Sequence, residues 1–262
     1  MSVTASVHPT AVVAAGASLG EGVTVGPYAT IGDEVVLGAG TTVGAHASIQ
    51  GPAVFGESNR VFDHAALGFD PQDLKYRGER TRLVVGARNT FREFTTVHRG
   101  TGSGHDGETV IGDDNYFMNY THVGHDNKIG SRVTMANSAV LAGHVEVGNY
   151  AIIGAFNAIH QFCRVGAYAF LGAYTGCRQD VLPFCRTDGL DAKTYGLNAI
   201  GLKRNGFSDE RIEALQKAYR FLVKSKLNTS QALERIAAEL SGHPDVDELV
   251  RFIQTSERGF IK

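Results

Sequence analysis

The sequence contains no tryptophan, and only 6 prolines and 3 cysteines in 262 residues. Cys163, Cys177 and Cys185 are an odd number without a CxxC pair, which argues against a disulfide framework or a thiolate metal site. Buried, reduced thiols are the expectation. No Lys or Arg precedes Arg60, so a positively charged segment of signal-peptide type is missing. No apolar run approaches the ~18 residues that a membrane-spanning helix needs. A cytoplasmic location without a membrane span follows as an expectation. An excess of one charge is missing too: 25 Lys and Arg stand against 27 Asp and Glu. A net charge of −2 gives no footing for nucleic acid or for an anionic membrane surface.

Glycine is in excess, at 32 of 262 residues, without the three-residue period of collagen. It follows a six-residue ruler instead. Val7, Val13, Leu19, Val25, Ile31, Leu37, Val43, Ile49, Phe55, Val61 and Leu67 are all apolar, and Gly often comes next. The ruler resumes at Val85, Phe91 and Val97, slips by two, and runs from Ile111 in steps of six to Cys177. Helical spacing of three or four is absent from this stretch. A short fixed period of this kind predicts a left-handed parallel β-helix, mainly β, with one strand per hexad and three hexads per coil. Glycine would serve the corners, through φ > 0 or through close backbone approach. After Pro183 the ruler stops. Ser208 caps a predicted helix with Ile212, Leu215, Ala218, Tyr219 and Leu222 on one face. Thr229 or Ser230 is expected to cap a second helix, and Pro244 to open a third. The expected division is a catalytic β-helix over 1–190 and a small α-helical domain over 191–262.

Counting hexads in threes, with the hexad at Val7 on the third face, places His8, His46, His64, His98, His125, His144 and His160 on one wall. His122 directly precedes it, and only His105 and His243 lie elsewhere. The strip from His98 to His160 reads as functional; His8, His46 and His64 read as ordinary polar surface. Two interruptions flank the strip, at Phe69–Arg82 and Ser103–Thr109. A solenoid has no need of such loops unless they cover something. Asp73 and Lys75 stand two apart and would face one way in extended chain, a pairing suited to a hydroxyl-rich, phosphorylated ligand.

The motifs QDLKY (Gln72–Tyr76), HRGT (His98–Thr101), HxxHD (His122–Asp126), LAGHV (Leu141–Val145), IHQF (Ile159–Phe162) and GLKR (Gly201–Arg204) closely resemble a known family. It is the acyl-[acyl-carrier-protein]–UDP-N-acetylglucosamine O-acyltransferases, which begin lipid A synthesis, and the resemblance spans essentially the whole chain. It implies a homotrimer with a site in each cleft between subunits. An (R)-3-hydroxyacyl chain would pass from the carrier protein's phosphopantetheine thioester, a co-substrate, to the sugar 3-hydroxyl, with no cofactor and no metal. By the same resemblance His125 is the general base, Asp126 orients it, and the Gly143 N–H is an oxyanion donor. Gln72, Asp73, Lys75, His98, His122, His144, His160 and Gln161 would bind sugar, diphosphate or acyl chain. Asn198 and Arg204 would meet the nucleotide. Lys203, Arg204, Arg211, Lys217 and Arg220 would meet the acidic carrier protein or form a solvated face. Three positions depart from the best-known relatives: Ile200 replaces an acidic residue, Asn205 replaces an Arg, and Ala173 replaces a Gly at the far end of the acyl groove. The extra methyl predicts an acyl chain no longer than that of Gly-bearing relatives.

Other readings use the same residues. Acceptance of a 3-amino sugar nucleotide would need no new group. The later UDP-glucosamine N-acyltransferase shares solenoid and base but carries a further N-terminal domain. A hexapeptide-fold carbonic anhydrase would hold zinc with His122, His125 and His144. A non-catalytic scaffold would show a regular polar ladder and no interruptions.

Overall fold

The computed structural model describes residues 4–102 and 107–262. Twenty-six short parallel strands run from β1 (Ser6–Val7) to β26 (Gly176–Cys177), and each apolar anchor of the ruler lies in its own strand. Each strand up to β23 pairs with the third strand on, as in Thr24↔Thr42 and Lys128↔Glu146, so one coil takes 18 residues away from the interruptions. The result is a left-handed β-helix with three walls. Wall A begins with β1, wall B with β2 (Val12–Val13) and wall C with β3 (Ser18–Leu19). Anchors fill the interior. Phe55, Phe91 and Phe117 are fully buried, and the Phe91 and Phe117 rings stack at 4.9 Å. Each such side chain contributes about 1.5–3 kcal/mol of apolar burial. The first coil lies at the open end, where Val7 is 41% and Val12 64% exposed.

Both explanations for glycine apply, at different positions. Glycines that follow anchors stay out of the left-handed region except Gly68 (φ 75°), where the first excursion begins; a Cβ on Gly38 would lie 2.4 Å from the Gly56 backbone, and one on Gly20 2.7 Å from Ala39 N. They let successive coils approach. Gly22 and Gly40 (φ 68° each) take left-handed corners, but most such positions hold larger residues. On the edge between walls A and B these are Tyr28, His46, His64, Phe94, Tyr120, Ser138, Phe156 and Tyr174, all with φ near 60°. From Tyr28 to Tyr120 their rings stack at 4.9–5.0 Å. Stacking contributes roughly 0.5–1.5 kcal/mol per pair and offsets the left-handed backbone.

This edge corrects the single histidine wall. His46 and His64 sit in the A–B stack, and His8 directly follows β1 on the same edge, whereas His98, His122, His125, His144 and His160 belong to wall B and the B–C edge. The cause is the first interruption. Chain leaves wall B after β11 (Ala66–Phe69) and returns on wall C in β12 (Arg82–Val85), so 18 residues advance it by one wall rather than three. The second excursion also joins wall B to wall C, from β14 (Thr96–His98) to β15 (Glu108–Ile111), as expected. His105 lies outside the described residues.

Wall A ends in β27 (Cys185–Asp188) and the antiparallel β28 (Lys193–Leu197). Four α-helices follow, α1 (Ala199–Arg204), α2 (Asp209–Tyr219), α3 (Thr229–Leu240) and α4 (Pro244–Gln254), with α2 running on into a π-helical turn over Arg220–Lys224. Ser208 caps α2 and Pro244 opens α4 as expected. The cap of α3 is Asn228, one residue early, because it forms a capping box with Gln231. α1 was not evident in the sequence, its six residues being too few to show a period. The helices share a second core that includes Leu182, Phe184, Leu215, Tyr219, Ile236 and Leu249. All three cysteines are free and buried; burial pushes the Cys177 and Cys185 thiols up to about 12.

Candidate active site

The 18-residue coil builds the site as columns on the B–C edge. His125, Gly143 and Gln161 occupy one corner position in successive coils, and Asp126, His144 and Phe162 the next. Asp126, His144 and Phe162 are all left-handed, with φ of 59°, 60° and 63°. The coils are tied by His144 N–H to the His125 carbonyl (3.0 Å) and Phe162 N–H to the Gly143 carbonyl (3.3 Å). Asn127 locks the corner beneath, donating to Gly124 O (2.7 Å) and Ala142 O (2.9 Å) and accepting from Val145 N–H (2.9 Å). Glycine at 143 leaves room for an imidazole: a Cβ there would lie 2.4 Å from His125 Cε1 and 2.7 Å from its Nε2.

His125 Nδ1 lies 2.7 Å from Asp126 Oδ2. A carboxylate only accepts, so Nδ1 carries the hydrogen and Nε2 keeps its lone pair. Nε2 has no hydrogen-bond partner among the described residues, nor does the Gly143 N–H. Asp126 is buried, with a side chain 0% exposed. Burial alone would raise its carboxyl pKa, but hydrogen bonds from His125 and from the Thr101 N–H and hydroxyl outweigh this and hold it below the usual range. His144 Nε2 stands 3.5 Å from the same Oδ2, with its ring edge-on to His125 and stacked on Phe162.

His98 and His122 continue inward along wall B, their rings in an edge contact at 5.3 Å. His122 Nδ1 pairs with Thr96 Oγ1 at 2.7 Å. Burial, with the neighbouring His122 adding to it, pushes His98 down to about 4, and burial together with His125 lowers His122. Unfolded histidine titrates near ~6.5, so the unfolded chain binds more protons between that value and about 4. The stability from a neutral His98 is complete above ~6.5 and is lost as pH falls through the folded value. Denaturant titrations of wild type and His98→Asn should therefore diverge on acidification. The variant is expected to lose about 2 kcal/mol less between pH 7 and pH 5. Parallel curves would contradict a neutral, buried His98.

The first excursion closes over this edge. Gln72, Asp73, Leu74, Lys75, His125, His144, Gln161 and Phe162 line a cleft of about 1180 Å³. Asp73 and Lys75 meet there, although not in extended chain. The segment is a turn, with Tyr76 N–H on Asp73 O (3.0 Å) and Lys75 N–H on Asp73 Oδ1 (2.9 Å). Arg99 roots the excursion, donating to Gly51 O (3.2 Å) and Gly68 O (3.0 Å) and pairing with Asp70. His98, His122 and His160 adjoin the cleft along wall B without lining it. The cleft also takes Glu146, Arg164 and Asp180, which sequence reasoning missed. The 18-residue step along wall C from Lys128 through Glu146 to Arg164 could have revealed the first two.

Three expected positions do not join His125 within the chain. Asn198 caps α1, accepting from Gly201 N–H (3.2 Å) and donating to Tyr168 O (3.0 Å) on the C–A edge. Arg204 ends that same helix and lines no part of the cleft. Ala173 is exposed on the A–B edge beside Tyr174. Ile200 is 69% exposed, and Asn205 closes α1 by donating to Gly201 O (2.8 Å). Of the basic group, Lys203, Arg211 and Lys217 are paired with Asp209, Asp245 and Glu239. Among the described residues the donors that converge are His125, Asp126 and His144, all within 4.8 Å, rather than the trio with His122 that the carbonic anhydrase reading would use. Both Asp126 oxygens are already engaged by Thr101 and His125.

An orientated imidazole, a free N–H one coil below it and a loop-covered cleft on a hexapeptide solenoid define an acyltransferase of the hexapeptide-repeat class. Two family profiles match: "Udp N-acetylglucosamine O-acyltransferase; Domain 2" over residues 180–261, and "Bacterial transferase hexapeptide (six repeats)" over 16–51. An acyl-[acyl-carrier-protein]–UDP-N-acetylglucosamine O-acyltransferase from Anaeromyxobacter sp. (strain K) is 50% identical over 257 residues, covering 98% of this chain and 100% of the relative. One from Alkalilimnicola ehrlichii is 54% identical over 256 residues, covering 98% and 99%. The solved structure of LpxA from Acinetobacter baumannii aligns with a TM-score of 0.95 at 36% identity, covering 98% of this chain and 99% of that one. The chain belongs to the acyl-[acyl-carrier-protein]–UDP-N-acetylglucosamine O-acyltransferase family.

Proposed function

We propose that this chain moves an (R)-3-hydroxyacyl group from the thioester of acyl carrier protein to the 3-hydroxyl of UDP-N-acetylglucosamine, the first step of lipid A synthesis, in the cytoplasm. The observation that carries this is the His125 imidazole, its Nδ1 fixed by Asp126 and its Nε2 free beside the cleft. Nε2 takes the proton of the sugar hydroxyl as its oxygen bonds to the thioester carbon. The Gly143 N–H stabilises the resulting oxyanion. Collapse breaks the C–S bond, and the imidazolium returns its proton to the departing thiolate. Asp73, Lys75, Gln72 and Gln161, with His98, His122, His144 and His160 alongside, bind the sugar nucleotide and acyl chain. No metal or cofactor is needed, and the occupied oxygens of Asp126 support this.

We further propose a homotrimer. Asn198, Arg204 and Ala173 lie on other edges, so they reach this cleft only from a neighbouring copy, and the exposed A–B ring stack suits such a contact. The decisive assay offers UDP-N-acetylglucosamine and its 3-amino analogue with 3-hydroxyacyl carrier proteins of graded length, with and without chelator. Transfer to the 3-hydroxyl, unaffected by chelator, is expected. No transfer, or a requirement for stoichiometric zinc, would overturn the reading. In the same assay Ala173→Gly should move the preferred chain toward greater length by about one carbon, since one methyl is removed. An unchanged preference would take Ala173 out of the acyl groove.

A further inference from the structure

We propose that Thr101 is a positioning residue for this reaction, and that the second excursion brings it onto Asp126 so that this carboxylate serves His125 and not His144. The inference rests on the acyl-transfer reading above. Asp126 Oδ2 has two imidazoles within reach, His125 Nδ1 at 2.7 Å and His144 Nε2 at 3.5 Å. Which one it holds depends on the rotation of the carboxylate about its Cβ–Cγ bond. Thr101 fixes that rotation with a two-point grip: its N–H donates to Oδ1 (2.9 Å) and its hydroxyl donates to Oδ2 (2.7 Å).

The backbone beneath is held as well. The Asp126 N–H donates to Thr109 Oγ1 at 2.8 Å, where the excursion has rejoined wall C, and the left-handed φ of 59° sets the direction of the side chain. Thr101 and Thr109 are buried, at 2% and 0% exposure, so water does not compete for these bonds. A regular hexad after His98 would carry the chain straight to wall C. Leaving the coil places position 101 over the carboxylate instead. With the hydroxyl removed, Oδ2 is free to turn toward His144, and His125 loses the partner that keeps its hydrogen on Nδ1.

The test is a mutant cycle on the full-length protein, with wild-type turnover in the transfer assay as its precondition. Absence of that turnover would count against the acyl-transfer reading, not against Thr101. Thr101→Val removes the hydroxyl and keeps the shape. It is expected to lower kcat about ten- to a hundredfold, leave KM within about twofold, and leave the thermal midpoint close to wild type. Thr101→Ser, which keeps the hydroxyl, should restore most of the rate. In an Asp126→Ala background the same Thr101→Val change should cost nothing further, because the group through which it acts is gone. Should the valine variant not fold, Thr101→Ala against Thr101→Ser gives the same comparison. Full kcat in Thr101→Val, or an equal loss with and without Asp126, would overturn the proposal.

Discussion

Replacing His125 by alanine is expected to lower turnover by about 10²–10⁴-fold while the protein keeps its fold and its assembly. The size follows from the chemistry. A sugar hydroxyl attacks a thioester poorly until its proton has somewhere to go, and Nε2 of His125 is the unengaged nitrogen of the Asp126-oriented imidazole beside the cleft. Retention of the fold follows from where His125 sits. Its side chain is at a corner and partly exposed, not among the anchors that fill the interior. Asp126 loses one hydrogen bond but keeps both from Thr101, so no buried carboxylate is left bare. The measurement is steady-state transfer beside thermal unfolding and sedimentation. A folded, assembled His125→Ala protein with wild-type kcat would remove His125 from the reaction.

Gly143→Ala is expected to be nearly as damaging, through a different cause. The new Cβ would stand 2.4 Å from His125 Cε1, where ordinary contact begins near 3.4 Å. The imidazole must therefore move by about 1 Å, and a misplacement of that size costs on the order of 10²-fold in rate. Backbone strain is not involved, because Gly143 does not occupy the left-handed region. The thermal midpoint should stay near wild type, in contrast to Gly38→Ala, where the added carbon would meet the backbone of the next coil at 2.4 Å. A Gly143→Ala protein with full kcat would show that the ring does not occupy this position.

Most of the architecture was legible because it is written in one period. Twenty-six apolar anchors became 26 strands. The central column was legible by the same ruler, since 125, 143 and 161 differ by 18 and must stack. What the ruler could not show is how many walls an interruption spans. The first excursion happens to add one full coil's length between Leu67 and Val85, so a count in hexads stays in phase with the wrong wall. That coincidence gathered His46 and His64 into a wall they do not share with His125. The Thr101 grip was illegible for another reason: it joins residues 25 apart through irregular chain, where no period applies. Asn198 and Arg204 resemble site residues in their motif, yet the fold places them on a different edge, a distinction that needs three dimensions.

The two excursions share a property that bears on how such a protein can change. Both leave wall B and return to wall C. Within the regular coils every residue is indexed: one inserted residue would turn each later side chain out of its wall and carry polar groups into the core. An excursion interrupts the indexing, because the chain re-engages wherever the next strand begins. Residues can be gained or lost between Phe69 and Arg82 without disturbing the stacking of 125 over 143 and 161. The covering of the cleft is therefore free to vary in length while the column beneath it stays fixed. Changes of substrate would be accommodated in the loop, and the base and its partners would be inherited unchanged.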